Sequence, residues 1–271
     1  IRSVDAIVHV VRCFEDENVV HVSGSVDPIR DIEIIQTELA LADLDSVDKK
    51  LQRVEKQAKS GDKRLKEESE FYARLKAALE QGIPARHVQV ADEELPWLRD
   101  LHLLTDKPVL YVANVAEDDL DGAHPAVAKV RELAEREGAR VVTICGRIEA
   151  EIAELEGDEK RVFLEEMGLA ESGLDRLIRM GYELLGLITY FTAGKKEVRA
   201  WTIPTGTKAP QAAGVIHTDF EKGFIRAEVI AYADYIAASG ESGAKEKGLM
   251  RLEGKEYVVQ DGDVMHFRFN V

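Results

Sequence analysis

Between Lys107 and Glu117 the sequence reads KPVLYVANVAE, and this stretch limits the possible folds more than any other. Pro108 opens it, Val109, Leu110, Tyr111 and Val112 form an unbroken β-branched and aromatic run, and a polar loop follows. A run without polar alternation suits a strand buried on both faces, and such strands belong to parallel sheets covered by helices. In open parallel sheets, ligands bind outside the carboxyl ends of the strands. Asn114 and Glu117 are therefore candidate binding residues; the plainer alternative is a solvated loop with a helix-capping Asn.

The flanking segments complete a βαβ unit. Asp5 to Arg12, DAIVHVVR, is near-continuously apolar and is expected to neighbour the Lys107 strand with both faces covered. Val19 to Val22 reads as a shorter extended piece. Pro125 to Glu137 is an amphipathic helix with Val127, Val130, Leu133 and Ala134 inward and Gly138 as its stop. Arg140 to Ile144 is the next strand, and Cys145, Gly146 and Arg147 make a small-residue turn into a helix at the same end of the sheet as Asn114. Two such loops can sandwich a planar base. GTP-binding proteins use Asn-Lys-x-Asp at this position, with the Asp accepting two donors on the guanine edge. Here Val115 stands for the Lys and Glu117 for the Asp, and the extra methylene displaces the carboxylate by about 1.5 Å. That is enough to lose the bidentate guanine contact, whereas an Asn can pair with adenine through one donor and one acceptor.

The long stretch between the two strands changes texture. Leu41, Leu44, Val47, Leu51, Val54 and Ala58 recur at spacings of three and four, Ser60-Gly61-Asp62 stops the pattern, and Leu65, Tyr72, Leu75 and Leu79 carry a returning stripe to Gly82 and Pro84. This predicts an antiparallel helical hairpin, either simple packing or a partner-binding arm. Glu93 to Leu101, Asp158 to Met167 and Gly173 to Leu185 are further helices, the last with Leu174, Leu177, Ile178 and Leu184 inward and Ser172 as N-cap. Beyond Gly186 short strands are expected at Ile188 to Thr192, Val198 to Ile203, Phe224 to Ile230, Tyr257 to Val259 and Met265 to Phe269, in a small mixed sheet with one or two helices. Lys195, Lys196, Arg199, Lys208, Lys222 and Arg226, with Trp201 and Phe220 interleaved, are candidate RNA or ribosome contacts or else a solvated face.

Composition narrows the partners. The chain has 271 residues, 36 Lys plus Arg against 51 Asp plus Glu for a net charge of −15, and 45% apolar residues. Such a chain repels nucleic acid at long range, so an RNA contact needs a local basic patch, and no DNA partner is expected. Cys13 and Cys145 are the two cysteines and form no C-x-x-C, which points to a reducing cytoplasm and buried structural thiols. No apolar stretch approaches the roughly 20 residues of a membrane span, so no membrane partner is expected. The sequence opens on Ile1-Arg2-Ser3 without an initiating Met, as if cut from something longer.

Phe191 to Ile203 (FTAGKKEVRAWTI), Gly206 to Gly214 (GTKAPQAAG) and Ile216 to Ile225 (IHTDFEKGFI) resemble the C-terminal TGS domain of the YchF, or Obg-like, ATPases. Asp27-Pro28-Ile29-Arg30-Asp31-Ile32 and Asn114-Val115-Ala116-Glu117 resemble the same family, in family order. The resemblance implies an α/β fold: a P-loop G domain with a parallel sheet over residues 1–33 and 84–185, an inserted coiled-coil hairpin over 34–83, and a β-grasp TGS domain over 186–271. It implies an ATP hydrolase that prefers ATP to GTP, uses Mg2+ and associates with ribosomes in the cytoplasm. The base-specificity motif falls on Asn114, Val115 and Glu117, with Val115 giving backbone contacts, and Cys145-Gly146-Arg147 matches the loop that closes over the base. One departure is large. No G-x-x-x-x-G-K-[ST] occurs, so the phosphate cradle and metal-holding hydroxyl are missing, and Asp119-Leu120-Asp121-Gly122 copies a D-x-x-G switch in the wrong order. None of the seven His matches the family's catalytic His, whose switch segment would precede Ile1. The expectation is that this segment has no catalytic or metal-binding residue and no turnover of its own; the rival is a non-catalytic adaptor acting through the TGS domain and hairpin.

Overall fold

A computed structural model describes residues 2–270 apart from Glu17, Ser23, Lys195 and Lys196. The chain divides into two compact units, Ile1–Gly181 and Tyr182–Val271.

The first unit runs β1 (Ile7–Arg12), α1 (Pro28–Ala58), α2 (Lys63–Glu80), α3 (Leu95–Leu101), β2 (Val109–Asn114), α4 (Pro125–Glu137), β3 (Arg140–Ile144), α5 (Gly146–Ala153), α6 (Gly157–Glu166) and α7 (Gly173–Leu184), the last ending in the second unit. The strands lie in the order β1-β2-β3, all parallel, with Arg12 beside Asn114 and Asn114 beside Ile144. Five residues of β2 are buried, which is what its uninterrupted apolar run requires. On one face Val11, Tyr111 and Ala113 pack with Ile32 of α1, Val127 and Val130 of α4 and Ile148 of α5. On the other, Val112, Val142 and Ile144 meet Leu177 and Met180 of α7. That second helix leaves β1 uncovered: Val8 is 49% and Val10 62% exposed, so the expectation of a strand covered on both faces fails at this edge. The same narrow contact leaves Leu174 and Ile178 exposed, although a helical stripe predicts them inward. Ser172 does begin α7, its Oγ accepting from the Asp175 amide at 3.1 Å. Val19 to Val22 forms no strand; the described residues there follow a turn, with Val19 N–H donating to Asp16 O.

Asp27 caps α1 by accepting from the amides of Ile29 and Arg30, and Pro28 fills the first helical turn, where no amide partner is lost. The helix has 31 residues, about 46 Å at 1.5 Å per residue. Its start packs on the sheet through Ile29 and Ile32. Further along, Val47, Leu51 and Val54 interlock with Phe71, Tyr72 and Leu75 of α2. Gly61 turns the chain at φ +88, a left-handed conformation that side chains resist, and Asp62 caps α2. Along the stem, cations find carboxylates: Lys49 with Asp45, Lys50 with Asp100, Lys76 with Asp48 and Arg74 with Glu94.

At the root of this hairpin Gln36 Nε2 donates to Tyr111 Oη (2.9 Å) and Glu137 Oε1 (2.8 Å), while Tyr111 Oη donates to Glu137 Oε2 (2.8 Å). Burial and the neighbouring Glu137 carboxylate push the Tyr111 phenol above its ordinary range. Beside this network lies a cavity of about 720 Å³, bordered by His9, Leu41, Leu44, Arg86 and Arg136. It sits toward the amino ends of the strands, where Val109 lines it, away from Asn114.

The second unit comprises β4 (Leu187–Ala193), β5 (Val198–Pro204), α8 (Ala209–Ile216), α9 (Thr218–Lys222), β6 (Phe224–Ala231), α10 (Tyr232–Ala237), α11 (Glu241–Glu246), β7 (Arg251–Glu253) and β8 (Asp263–Phe269). The sheet order is β5-β4-β8-β6-β7, with β4 and β8 parallel and the other pairs antiparallel. Tyr190, Ile203, Met265 and Phe267 form its core with Ala212 and Ala213 of α8, and Tyr190 Oη donates to the Ala212 carbonyl at 2.9 Å. Among the described residues four short helices replace the one or two expected. Tyr257 to Val259 is not a strand but meets Lys208 in a single bridge, whereas Arg251–Glu253, too charged to read as a strand, pairs with β6.

Asp43 fastens α1 to the segment ahead of β2. It is fully buried and accepts from the amides of Leu104 (2.9 Å) and Thr105 (2.7 Å) and from Thr105 Oγ1 (2.8 Å), with Arg2 at 3.3 Å. Asp43→Ala should cost about 3 kcal/mol in urea denaturation, because two buried amides and a guanidinium lose their acceptor. A loss under about 1 kcal/mol would show that water satisfies them instead.

Candidate functional site

The three parallel strands end together, and their last residues carry the candidate groups. Cys13 N–H donates to Asn114 O at 2.8 Å and Val115 N–H to Ile144 O at 2.9 Å, so the sheet pairing continues one residue into each loop. Arg12 holds the first loop by donating to the carbonyls of Phe14, Asp16 and Val19. Val115 and Cys145 are buried in the sheet core. Their side chains belong to that core, and the Val115 amide is already taken by the Ile144 carbonyl.

Two contacts join the Asn114 loop to the Cys145 loop. Asn114 Oδ1 accepts from Gly146 N–H at 3.0 Å, and Arg147 Nε lies 2.8 Å from Glu117 Oε1. The sequence alternatives thus merge: Asn114 does cap a helix, but that helix is α5, 32 residues on. Because an amide N–H needs an oxygen opposite it, the side-chain oxygen is committed to Gly146 and the NH2 faces away. One lone pair of that oxygen is thereby used, while the NH2 makes no bond to the two loops. A Cβ at Gly146 would sit 3.4 Å from Asn114 Oδ1, an ordinary contact, so the bond itself does not demand glycine there. Glu117 and Arg147 are largely exposed, with side chains 45% and 77% accessible, so their ion pair is weak and open to exchange.

A further support comes from Glu149, to which the sequence pattern gave no role. Its carboxylate accepts from the amides of Gly173 (2.7 Å) and Leu174 (3.0 Å), capping α7 and tying it to α5. A glutamate at that helix terminus is favoured by the backbone dipole as well. Its partners lie 24 and 25 residues away, beyond any local signal. Asp119 of the D-x-x-G copy closes its own loop, Oδ1 accepting from the amides of Ala123 (2.8 Å) and His124 (3.0 Å) ahead of α4.

The basic candidates of the second unit do not share one face. Arg199 stacks over Trp201, 4.1 Å from the ring centre, on the side of the sheet where Ile203 is buried. Arg226 precedes the inward Ala227 and alternates with it, so it points to the other side. Lys208 pairs with Glu256 at 2.5 Å, Lys222 is exposed at the end of α9, and Lys195 and Lys196 lie outside the described residues.

A parallel α/β sheet with two loops joined at its strand ends and a helical hairpin in the first unit, and a mixed sheet in the second, define the class, one built like the GTPases. The Schizosaccharomyces pombe YchF GTPase superposes with TM-score 0.85 at 36% identity over 98% of this chain and 73% of that one. A GTP-binding protein from Pyrococcus horikoshii, at 19% identity and TM-score 0.61 over 99% of this chain and 80% of that one, shares the fold. Residues 187–270 match the family YchF-GTPase_C, described as a protein of unknown function. The Ribosome-binding ATPase YchF of Bacillus subtilis is 59% identical over all of this chain and 75% of its own length, and that of Escherichia coli O157:H7 is 55% identical over all of this chain and 74% of its own. The chain belongs to the YchF family.

Asn114→Ala should lower stability by about 1 kcal/mol through loss of the α5 cap, and Glu149→Ala by a similar amount, measured by chemical denaturation. The thiols give a second check. Burial, and then the Asp119 charge, pushes the Cys13 thiol up to about 11. Cys13 is therefore expected to resist alkylation at pH 8 in the folded chain and to react on unfolding; rapid native labelling at Cys13 would contradict its burial.

Proposed function

We propose that this chain provides the adenine-recognising part of a ribosome-binding ATPase, with the Asn114–Glu117 and Gly146–Arg147 loops as the base site. The observation that carries the reading is the joining of these loops at the carboxyl ends of β2 and β3 by the 3.0 Å and 2.8 Å contacts. The name shared by the Bacillus subtilis and Escherichia coli relatives supports ATP hydrolysis and a ribosomal partner.

The chemistry of the free groups favours adenine. With its oxygen held by Gly146, Asn114 offers a donor, and Glu117 offers an acceptor once Arg147 yields. Adenine presents an acceptor, N7, beside a donor, the N6 amino group. Guanine presents O6 where adenine has N6, and a carboxylate facing that carbonyl is repelled. Arg147 has a planar guanidinium suited to stacking on a base face.

Phosphoryl transfer needs groups of another kind: backbone amides and a Lys around the phosphates, and a hydroxyl for Mg2+. The sequence lacks the motif that supplies them, so Mg2+ is assigned to no residue here. The second unit, with the hairpin, is proposed as the ribosome-facing part, and its sheet as the TGS domain.

Two measurements test this. In protein that also carries a phosphate-binding loop, Val115→Lys with Glu117→Asp should shift the ATP:GTP affinity ratio toward GTP by about tenfold, the worth of one good base contact. An unchanged ratio would remove these residues from base selection. The 271 residues alone should release no phosphate from ATP above background; turnover typical of an ATPase would show that the phosphate cradle lies elsewhere.

A further inference from the structure

The cavity at the root of the hairpin has no part in the site described above. It encloses about 720 Å³, within the range of about 300–1,000 Å³ usual for small-molecule sites. One wall is the sheet, through Ile7, Val109 and Tyr111, and the other is α1, through Ala40, Leu41 and Leu44. The space between such walls takes a flat molecule inserted from the side of Leu41, which is 53% exposed.

The charged groups of the lining are already engaged or stand in water. Glu137 accepts from Gln36 and Tyr111, both at 2.8 Å, and lies 3.5 Å from Arg86, which also donates to Thr105 O. Glu33, Glu80 and Arg136 are exposed. A charged ligand would find no free counter-charge inside, and burying an unpaired charge is costly. Two polar groups, by contrast, are uncommitted. Gln36 spends its amide hydrogens on Tyr111 and Glu137, so its Oε1 is left as an acceptor without a donor among the described residues. His9 lines the same space, its ring centre 5.7 Å from that of Tyr111, and neither of its nitrogens bonds to a described residue. Burial pushes its pKa below the ordinary value, so near neutral pH the ring is uncharged and offers one donor and one acceptor. Apolar walls with a few convergent polar groups are the usual make-up of a small-molecule site.

We infer that this cavity binds an uncharged aromatic heterocycle carrying a ring N–H. The N–H donates to Gln36 Oε1, the acceptor that the root network leaves open, and His9 supplies the second polar contact. The flat body lies between the sheet wall and the α1 side chains Ala40 and Leu44. An aliphatic chain would fill the same volume but leave Gln36 Oε1 and the His9 nitrogens without partners, and unmade bonds of buried groups are costly. Gln36 and Leu44 belong to α1 and Tyr111 to β2, so the occupant bridges the helical arm and the sheet. This site is separate from the base site proposed above, since Val109 and Asn114 are the two ends of β2.

Fluorine NMR on the 271-residue protein tests the inference, with 5-fluoroindole as the probe and 5-fluorobenzofuran as its isostere lacking the N–H. The indole should bind about fivefold tighter than the benzofuran, the worth of one neutral hydrogen bond. His9→Phe keeps a ring but removes both nitrogens, and should weaken the indole about threefold with the benzofuran unchanged. Ala40→Phe fills the space and should abolish binding of both probes. Leu41→Trp obstructs the exposed side of the cavity without touching the core, and it decides the matter where Ala40→Phe does not fold. In nitrogen-resolved spectra of the protein, the indole should shift the amides of Leu44, Val109 and Tyr111 and leave those of Val115 and Gly146 in place. No binding of the indole at about 5 mM, a weak affinity even for a fragment, would overturn the inference. Equal affinity for the two probes would do so as well, as would binding that survives every folded variant of Ala40 and Leu41, or shifts centred on Gly146.

Discussion

The first unit depends on burying β2 on both faces. A strand that water does not reach must pair its backbone on both edges, which β1 and β3 do, and must find apolar cover above and below. The α1, α4 and α5 helices give that cover on the side of Tyr111 and Ala113, and α7 on the side of Val112. Polar chemistry is thereby excluded from the length of the strand. Asn114 is the first residue of β2 that escapes full burial, and it does so where the neighbouring chains also leave the sheet. The location of the candidate site follows from the burial of the strand beneath it.

The hairpin is attached to this sheet by one continuous helix. A boundary drawn between residues 33 and 34 marks a change in what α1 packs against, not a break in the chain: Ile32 faces the sheet core, and Val47 onward faces α2. Between these two cores the helix needs a polar fastening, because neither core encloses it. Gln36, bonded at once to Tyr111 and Glu137, and Asp43, bonded to Leu104 and Thr105, supply it. Arg86 adds to the joint, donating to Thr105 O at 3.2 Å and lying 3.5 Å from Glu137. These are buried or half-buried groups whose partners, once lost, leave unsatisfied polar atoms. The angle at which the arm leaves the sheet is set by them.

Much of this was legible in local pattern, and what was not has a common cause. Runs such as Val109 to Val112 and the stripe Val47, Leu51, Val54 encode their period directly, and Gly61, Asp62 and Gly138 mark their stops. Misreadings arose where an apolar segment lacked a neighbour, as at Val8, Val10, Leu174 and Ile178, because sequence gives the preference for burial but not the supply of cover. Val19 to Val22 had strand composition without a strand to pair with. Conversely Arg251–Glu253 became a strand because β6 offered an edge. In the site, the pairing of Asn114 with Gly146 and of Glu149 with Gly173 joins residues far apart in the chain, and no periodicity announces such pairs.

The site combines firm and loose contacts, and the division has functional meaning. The backbone bond from Val115 to Ile144, the Asn114 cap on α5 and the Glu149 cap on α7 fix the positions of both loops. Above that frame the Glu117–Arg147 pair is exposed, and solvent-exposed pairs are worth only about 0–1 kcal/mol. A ligand with a donor for Glu117 therefore displaces a weak interaction, while the loops that present the two side chains stay in place. In the base site proposed above, the direction of the Asn114 NH2 is set by its oxygen's bond to Gly146, which such a ligand does not disturb, while the Glu117 carboxylate is freed to turn toward it. Binding costs less when a site is held in advance, and for the base site proposed above the holding is done by the helix caps beneath the two loops.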